Sequence, residues 1–427
     1  MRGPGRLYIG VGHDGPVWAA AEQAMLVLGP PRSGKTSGIV VPTVLGAEGP
    51  VVSTSTKPDV LQVTAAARGR RGPCLLFDPS GTVEPPPGVE VVRWSPVQSA
   101  ATWDDALLVA RALVGAARGQ GSDTAARTDH WSERAEALLA PLLHAAHHSG
   151  ESLASVLSWV DRRQPAPALR VLDECGAAVA ADGLAGIAAT DEREQSGIWS
   201  TASGVLSAYR SDAALRSTVD PDFDAALFCA SDATLYVCAT GRHQARVAPL
   251  VVGLLTDIRS AAYEQAALDS ATGTGPAPAT PSGRDRAPVV FALDEVANIA
   301  PIPDLPAMVS EGGGQGVLTL ACLQDLSQAR TRWGPAADGF LSLFGTTVVL
   351  GGIGDTRTLE ALSVLAGEEE VWTRSVSGPL PGSTGGGALR RAIAGRRSWS
   401  RPEPAPPTMS VTSRRQRRLA PDVIGRG

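Results

Sequence analysis

The stretch LGPPRSGKTSG, residues 28–38, contains the pattern that decides the fold: a glycine, four residues, then glycine, lysine and threonine. In this pattern the glycines let the backbone wrap around an anion, the lysine reaches the outer phosphates of a nucleotide, and the threonine hydroxyl can bind Mg²⁺. A glycine-rich turn that matches by chance is the alternative. We predict a phosphate-binding P-loop made of Gly29, Pro30, Pro31, Arg32, Ser33, Gly34, Lys35 and Thr36.

The sequence on both sides of this loop has the order strand, loop, helix that a P-loop needs. Residues 24–29, AMLVLG, are typical of a short buried strand, and residues 35–47 can begin a helix that Pro42 would kink or end early. The chain has only two lysines among its 38 basic residues, Lys35 and Lys57. A lysine at the position where the motif requires one therefore favours the P-loop over chance.

Length and composition indicate a globular protein with more than one structural part. A chain of 427 residues can form one large domain with an insertion, or about two to three domains. Hydrophobic residues make up 43% and charged residues 19%, which is the balance of a chain that buries a core. The net charge of −5 excludes a uniformly basic nucleic-acid binder, so any contact with DNA must be local.

The cysteine pattern and the hydropathy both predict a cytosolic protein. The five cysteines are scattered with no C-x-x-C pair, which predicts buried, reduced thiols rather than a disulfide or zinc framework. No signal peptide is visible, and the longest uncharged tract, residues 339–354, is shorter than the roughly 18 apolar residues of a spanning helix. We expect the chain not to cross a membrane by itself.

Apolar runs along the chain predict an α/β fold with a parallel sheet and a helical insertion. Between residues 103 and 218 the strand signal disappears and apolar residues follow helical spacing instead. Residues 269–287 form a Gly/Pro/Ser/Thr linker, and residues 388–418 carry nine arginines against one acid, which suits either a polyanion partner or a solvated tail. The strands are predicted at residues 24–29, 50–55, 74–78, 89–94, 234–240, 289–294, 317–323 and 346–351.

A second half of the nucleotide site is predicted where a buried strand ends in two acids. The stretch PVVFALDEVANIAPIPDL, residues 288–305, is an apolar run closed by Asp294 and Glu295. Asp294 would hold Mg²⁺ directly or through water, and Glu295, one residue further on, can polarise the attacking water. Together with the P-loop, this pair favours ATP hydrolysis over passive nucleotide binding.

A third element is the amide of Gln324, which follows the strand predicted at residues 317–323. The carboxyl ends of parallel strands meet at one edge of a sheet, where ligands collect. From that edge the amide can donate to the terminal phosphate or orient water. We predict that Gln324 senses whether ATP or ADP is bound.

Five stretches of the sequence resemble, in this order, the TraG/TraD-like coupling proteins of type IV secretion systems, in their actinobacterial branch. The resemblance extends from residue 6 to residue 367, and the second and fourth stretches are specific to this family rather than to P-loop ATPases in general. The stretches are VLGPPRSGKTSGIVVPTVL, PVVSTSTKPDVLQVTAAARGRRGPCLLFDPSG, WSERAEALLAPLL, FALDEVANIAPIPDLPAMVSEGGGQGVLTLACLQDLSQ and TTVVLGGIGDTRTLEALSVLAG.

The resemblance implies a RecA-like hexameric motor that binds ATP and Mg²⁺. Such proteins couple ATP hydrolysis to moving relaxase-bound, single-stranded DNA into the secretion channel during conjugation. The implied partners are DNA, the relaxase, the channel components and further copies of the chain. The implied location is the cytoplasmic face of the inner membrane, reached through another protein or a further segment.

By the same resemblance, residues 29–36 would be Walker A, Asp294 and Glu295 Walker B, and Gln324 the sensor. Lys57, in STKPD, would match a lysine that follows the second strand in relatives. The implied domains are a first nucleotide-binding part at 1–102, an all-α domain that reads cargo at 103–220, a second nucleotide-binding part at 221–375, and a flexible Arg-rich segment at 376–427.

Three departures from the family pattern stand out. Many relatives start with transmembrane helices, which this sequence lacks, and the last strand of the family pattern is cut short at its end. Relatives also place an arginine in the glycine-rich turn after Walker B, where it reaches the nucleotide of the neighbouring subunit. This chain has Gly313 there. We expect another arginine to replace it, with Arg357 favoured over Arg330 and Arg332.

Two other classes of function stay open on the sequence. One is a related motor that segregates or packages double-stranded DNA or drives protein secretion. The other is a docking module that binds nucleotide for assembly without turnover, to which Gly313 lends support and against which Glu295 argues.

Overall fold

The computed structural model describes residues 5–117, 125–239, 244–272, 287–366, 369–374 and 411–416. The described residues up to Asp355 form one compact unit, and those from Thr356 onward form a second. Most of the predicted linker, and most of the predicted Arg-rich tail, lie outside the described residues. The domain boundaries proposed from the sequence stay a prediction.

The first unit is built on an eight-stranded sheet that follows a small hairpin. The hairpin pairs β1 (Tyr8–Gly12) with β2 (Gly15–Trp18) and was not predicted. All eight predicted strands are present in the sheet; β9 has the predicted bounds and the other seven are shorter than predicted. They are β3 (Met25–Leu28), β4 (Val51–Ser55), β5 (Cys74–Phe77), β6 (Val89–Val91), β7 (Thr234–Cys238), β8 (Val289–Leu293), β9 (Val317–Leu323) and β10 (Thr346–Val349).

The strands run in the order β10-β3-β9-β8-β4-β7-β5-β6, and every neighbouring pair is parallel. Five inner strands, β3, β9, β8, β4 and β7, are buried along their whole length, whereas β10 and β6, at the two edges, are partly exposed. Continuous apolar runs of this kind are what a sheet covered by helices on both faces requires. The predicted α/β class, with its mostly parallel RecA-like sheet, is confirmed.

Fifteen α-helices lie in the described part of the first unit. The described residues between 103 and 218 contain helices and no strand. The first of these, α3, contacts both α4 and α11, so it also covers the sheet-bearing part of the unit. The helices are α1 (Val41–Gly46), α2 (Asp59–Arg68), α3 (Trp103–Ala117), α4 (Ala125–His148), α5 (Leu153–Asp161), α6 (Ala166–Glu174), α7 (Ala178–Ala188), α8 (Glu192–Val205), α9 (Asp212–Arg216), α10 (Ala225–Cys229), α11 (Gln244–Thr272), α12 (Val296–Ile299), α13 (Leu305–Glu311), α14 (Leu326–Trp333) and α15 (Phe340–Leu343).

The helix after the P-loop shows how the chain accommodates Pro42. It begins as a π-helical turn, Thr36–Val40, and continues as α1, with the proline in the first turn of the α-helical part. Proline lacks the N–H that an interior helical position would donate. Because the hydrogen-bond pattern changes just before Pro42, the proline lies in the first turn of the α-helix, where that N–H is not needed. The helix then ends at Gly46. Pro42, which was predicted to kink the helix or end it early, is thus accompanied by a change of helix type and a short helix.

The cysteines are free thiols that differ in burial. Cys74, Cys229, Cys238 and Cys322 are buried and free, as predicted. Desolvation raises the pKa of the Cys229 and Cys238 thiols to about 12, which is the behaviour of unreactive structural thiols. Cys175 is also free, but the prediction that it is buried is wrong, because it directly follows the last residue of α6 at the surface.

The second unit contains α16 (Thr356–Ala366) and an antiparallel pair formed by β11 (Glu369–Arg374) and β12 (Val411–Gln416). Residues 411–416 were predicted to belong to a flexible Arg-rich segment, but they form a strand that contains two arginines. Among all the helices described, none has both the length and the apolar character needed to cross a bilayer.

Candidate nucleotide site

The predicted site residues meet at the carboxyl edge of the sheet. The P-loop follows β3, Gln324 follows β9, Asp294 follows β8, and Lys57 lies just beyond β4. These four strands are consecutive neighbours, with β9 and then β8 and β4 to one side of β3. Because they are parallel, the loops after them all open on the same edge, as predicted from the strand pattern.

The P-loop turns back over the end of β3 through two residues in the left-handed region. Gly34 has a φ of 94°, which an L-residue rarely adopts, and Arg32 has a φ of 64°. The backbone N–H of Gly29 donates to the carbonyl of Leu323 at 3.1 Å, which ties the start of the loop to the end of β9. The loop is therefore held by the strand next to its own.

Lys35 is directed inward over this loop and is only 6% exposed. Its Nζ donates to the carbonyl oxygens of Gly29 at 2.5 Å and Pro30 at 3.0 Å. A buried ammonium needs such acceptors, because an unpaired charge away from water is costly. The contacts hold its positive charge at the wall where the motif places phosphates.

Thr36 and Asp294 join the two halves of the site although they are far apart in sequence. Thr36 Oγ1 donates to Asp294 Oδ2 at 2.7 Å, and Asp294 is only 5% exposed. Asp294 Oδ1 is buried without a hydrogen-bond partner in the described part of the chain. Burial raises the pKa of Asp294, and the Thr36 hydroxyl opposes that shift by stabilising the carboxylate.

These oxygens fit a magnesium ion. Mg²⁺ is held in nucleotide sites by one or two protein oxygens together with phosphate oxygens and water. The Thr36 hydroxyl and the Asp294 carboxylate, with one carboxylate oxygen still lacking a partner, supply that donor set. The described residues contain no cluster of three or more His, Cys, Asp or Glu side chains that would form an all-protein cage.

Glu295 is held by a contact with a residue that was not predicted to belong to the site, Asn298. The backbone of Glu295 is left-handed, with a φ of 55°, and its Oε2 accepts a hydrogen bond from Asn298 Nδ2 at 2.8 Å. Non-glycine residues in this conformation are uncommon and concentrate at functional sites. The spacing of three residues at the start of α12 was the signal by which Asn298 could have been found.

A cavity of about 480 Å³ lies between the P-loop and the two acids. One wall is formed by loop residues 31–37, and Asp294 and Glu295 lie beside it. The remaining lining comes mainly from the end of β4 and the start of α2 and includes Lys57, Asp59 and Val63. The cavity thus brings together most of the predicted site and adds a wall that the motif does not contain.

Gln324 is near this cavity but is not among the residues lining it. It directly follows β9, is half-buried, and its backbone N–H donates to Gln328 Oε1 at 3.0 Å. The hydrogen bond from the Gly29 N–H to the carbonyl of Leu323, the residue before Gln324, holds this strand end beside the P-loop. Its role as a sensor stays a prediction.

The structure explains why position 313 is glycine. A Cβ atom built there would lie 2.0 Å from the carbonyl oxygen of Glu22, far inside van der Waals contact. An arginine at this position would require the backbone of another segment to move. The glycine is thus required by the packing of this chain.

Two of the three candidate arginines already have partners within the chain. Arg330 pairs with Asp338 at 3.1 Å and with Asp355 at 3.8 Å. Arg332 donates at 3.0 to 3.2 Å to carbonyls of the α3 end and the loop after α12. Arg357 is exposed on α16 in the second unit. Its assignment as the replacement arginine stays a prediction.

Gly313→Ala is expected to lower the free energy of unfolding by about 1–3 kcal/mol, because the new methyl group forces the Glu22 backbone to shift. Gly314→Ala is the matched control, since a Cβ there meets no atom within 4 Å. Chemical denaturation of both variants measures the difference. Equal stability of the two would show that the contact with Glu22 is not a constraint.

Comparison with known proteins gives a matching family model and several similar solved structures. Residues 5–386 match the family model described as type IV secretory system conjugative DNA transfer, T4SS-DNA_transf. No curated protein matches the chain.

Solved structures of a coupling protein share the fold. The bacterial conjugative coupling protein TrwBdeltaN70, in complex with sulphate, is 17% identical with a TM-score of 0.60, over 82% of this chain and 76% of that one. The plasmid coupling protein TrwB in complex with ADP and Mg²⁺ is 18% identical, with a TM-score of 0.61 and the same coverage of 82% and 76%. TrwB with the ATP analogue ADPNP is 19% identical, with a TM-score of 0.60, also over 82% and 76%.

Proposed function

Because the chain belongs to the family of type IV secretory system conjugative DNA transfer proteins, we propose that it is an ATP-hydrolysing DNA translocase. In this role it links relaxase-bound DNA to the secretion channel during conjugation. The observation that carries the proposal is the hydrogen bond between Thr36 and Asp294, which closes the P-loop against the acidic strand. Passive anion binding by a glycine-rich turn requires no such contact.

The proposed ligands are ATP and Mg²⁺. Residues 29–36 bind the phosphates, with Lys35 at the outer ones and backbone N–H groups around the others. Thr36 and Asp294 hold the metal ion, whose charge neutralises the phosphate oxygens when it is bound. The complexes of TrwB with ADP and Mg²⁺ and with ADPNP support this assignment.

Hydrolysis is assigned to Glu295, whose carboxylate lies in the cavity wall next to Asp294. The carboxylate accepts a proton from the attacking water as the water oxygen bonds to the terminal phosphorus. The bond from that phosphorus to the bridging oxygen breaks, which releases ADP and phosphate. Asn298 orients the carboxylate through its hydrogen bond, and Gln324 senses the terminal phosphate.

The assembly and partners follow from the family assignment. We propose a homo-hexamer that moves single-stranded DNA and receives it from a relaxase at the cytoplasmic face of the membrane, where another protein or a further segment anchors it. Residues 103–220 would form the all-α domain that reads cargo. Residues 1–102 and 221–375 would form the ATPase, and 376–427 an Arg-rich segment.

An ATPase assay on the full chain tests the proposal, with single-stranded or double-stranded DNA and with the oligomer mass measured in parallel. We expect turnover that single-stranded DNA stimulates most, in a sample that contains hexamers. Stronger stimulation by double-stranded DNA would indicate a segregation motor. Undetectable turnover by an assembled, DNA-bound sample would establish a docking module instead.

A further inference from the structure

Lys57 is a cation of the cavity to which the P-loop motif gives no role. It lies two residues beyond the end of β4, is exposed, and is one of the residues that line the cavity together with the P-loop. Its side chain has neither a hydrogen-bond nor an ion-pair partner among the residues that the structure describes. An unpaired ammonium group on a residue that lines a nucleotide-sized cavity can bind an anionic ligand.

The position of Lys57 relative to the two acids is fixed by the sheet. Its backbone N–H donates to Ser55 Oγ at 3.2 Å, and α2 begins two residues later. β4 pairs with β8 in parallel, and Thr54 Oγ1 donates to the Asp294 carbonyl at 3.3 Å. Lys57 therefore leaves the sheet beside the residues assigned to the metal and the attacking water.

The strand order decides which part of a nucleotide Lys57 meets. The loop that binds the phosphates follows β3, and the acids that serve the terminal phosphate follow β8. β4 is the next strand in the same direction. A phosphate chain that runs from the P-loop toward Glu295 thus directs its terminal phosphate at the wall that carries Lys57.

The charges of the site make this contact useful. Lys35 and Arg32 both belong to the P-loop, and Lys35 is already bonded to two loop carbonyls. Apart from these two residues and Lys57, the charged residues that line the cavity are acids, namely Asp59, Asp294 and Glu295. The transferring phosphoryl group needs positive charge on more than its P-loop side. Arg330 and Arg332 are engaged elsewhere in the chain.

We propose that Lys57 binds the terminal phosphate of ATP in cis, from the β4 side of the cavity, and stabilises the charge on that phosphate during transfer. The inference rests on the proposed function, since it requires a bound nucleoside triphosphate. It assigns to a lysine of the same subunit a positive charge that other nucleotide hydrolases receive from an arginine, in cis or in trans.

Nucleotide affinities of the full chain test the contact, measured for Mg²⁺–ADPNP and for Mg²⁺–ADP. Lys57→Ala is expected to weaken ADPNP binding by about tenfold, as for loss of one charged hydrogen bond. ADP binding should change by less than about twofold, because ADP lacks the phosphate concerned. Lys57→Arg should recover part of the ADPNP affinity. Arg70→Ala, which removes the same charge from an exposed position just after α2, should bind both nucleotides as the unmutated chain does.

The outcomes separate this inference from the proposed function. Equal loss of ADP and ADPNP binding in Lys57→Ala, or no loss of either, overturns the assignment to the terminal phosphate and leaves the ATPase assignment standing. Failure of the unmutated chain to bind either nucleotide overturns both.

Mixed assemblies test the claim that Lys57 acts in cis. Lys57→Ala and Glu295→Gln subunits are combined, and ATP turnover is compared with that of each alone. A cis lysine predicts no rescue, because no subunit has both residues intact. Recovery of turnover in the mixture would place the lysine at the neighbour's nucleotide and overturn the cis assignment.

Discussion

Glu295→Gln is expected to bind ATP as the unmutated chain does and to lose turnover by about 10²- to 10⁴-fold, the usual contribution of a general base. Glutamine keeps the size of the side chain, and its amide oxygen can still accept the hydrogen bond from Asn298 Nδ2. It cannot take a proton from the attacking water. Equilibrium ATP binding and steady-state phosphate release, measured on the same sample, give the two quantities.

Glu311→Gln is the matched control for this variant. It removes one negative charge from an exposed position at the end of α13, in the same part of the chain but away from the cavity. Its turnover should equal that of the unmutated chain. Turnover of Glu295→Gln at the unmutated rate would mean that another group activates the water.

Lys35→Ala is expected to weaken ATP binding by about 10²-fold or more and to remove measurable hydrolysis. The estimate corresponds to the loss of two charged hydrogen bonds to phosphate. The loss is compounded because the carbonyls of Gly29 and Pro30 also lose the Lys35 Nζ as a donor. Titration with a fluorescent ATP analogue measures the affinity.

The comparison of the two variants is itself a test of the residue roles. Binding should fail in Lys35→Ala and survive in Glu295→Gln. If both lose ATP binding to the same degree, the division between a phosphate-binding lysine and a water-activating glutamate is incorrect. Thermal unfolding of both proteins confirms that the fold is intact.

The sheet could be predicted from the sequence because its strands are buried on both faces. A strand such as β9, buried from Val317 to Leu323, is apolar except for Thr319, and such runs are visible without knowledge of their neighbours. The hairpin of β1 and β2 was missed for the opposite reason. Its glycines and half-exposed positions break the alternation that marks a strand.

The site was predictable where its residues are contiguous and not where they meet across the fold. The P-loop and the Asp294–Glu295 pair each form a local pattern, and the parallel sheet implied that they meet. The sequence predicted that Lys57 lies at the carboxyl edge of the sheet, but not that it lines the cavity. The contact of Gly313 with the Glu22 carbonyl joins segments far apart in the chain, and no local pattern encodes it.

The order of the strands also has a consequence for synthesis of the chain on the ribosome. β3 carries the P-loop near the start of the chain, yet both of its neighbours, β9 and β10, come from residues beyond 316. A nascent chain therefore exposes a fully apolar strand, with both edges unpaired, until most of the protein has been translated. Such long-range pairing is slow and leaves the unfinished chain open to aggregation. We expect nascent chains that stop before β9 to require chaperones and to bind no nucleotide.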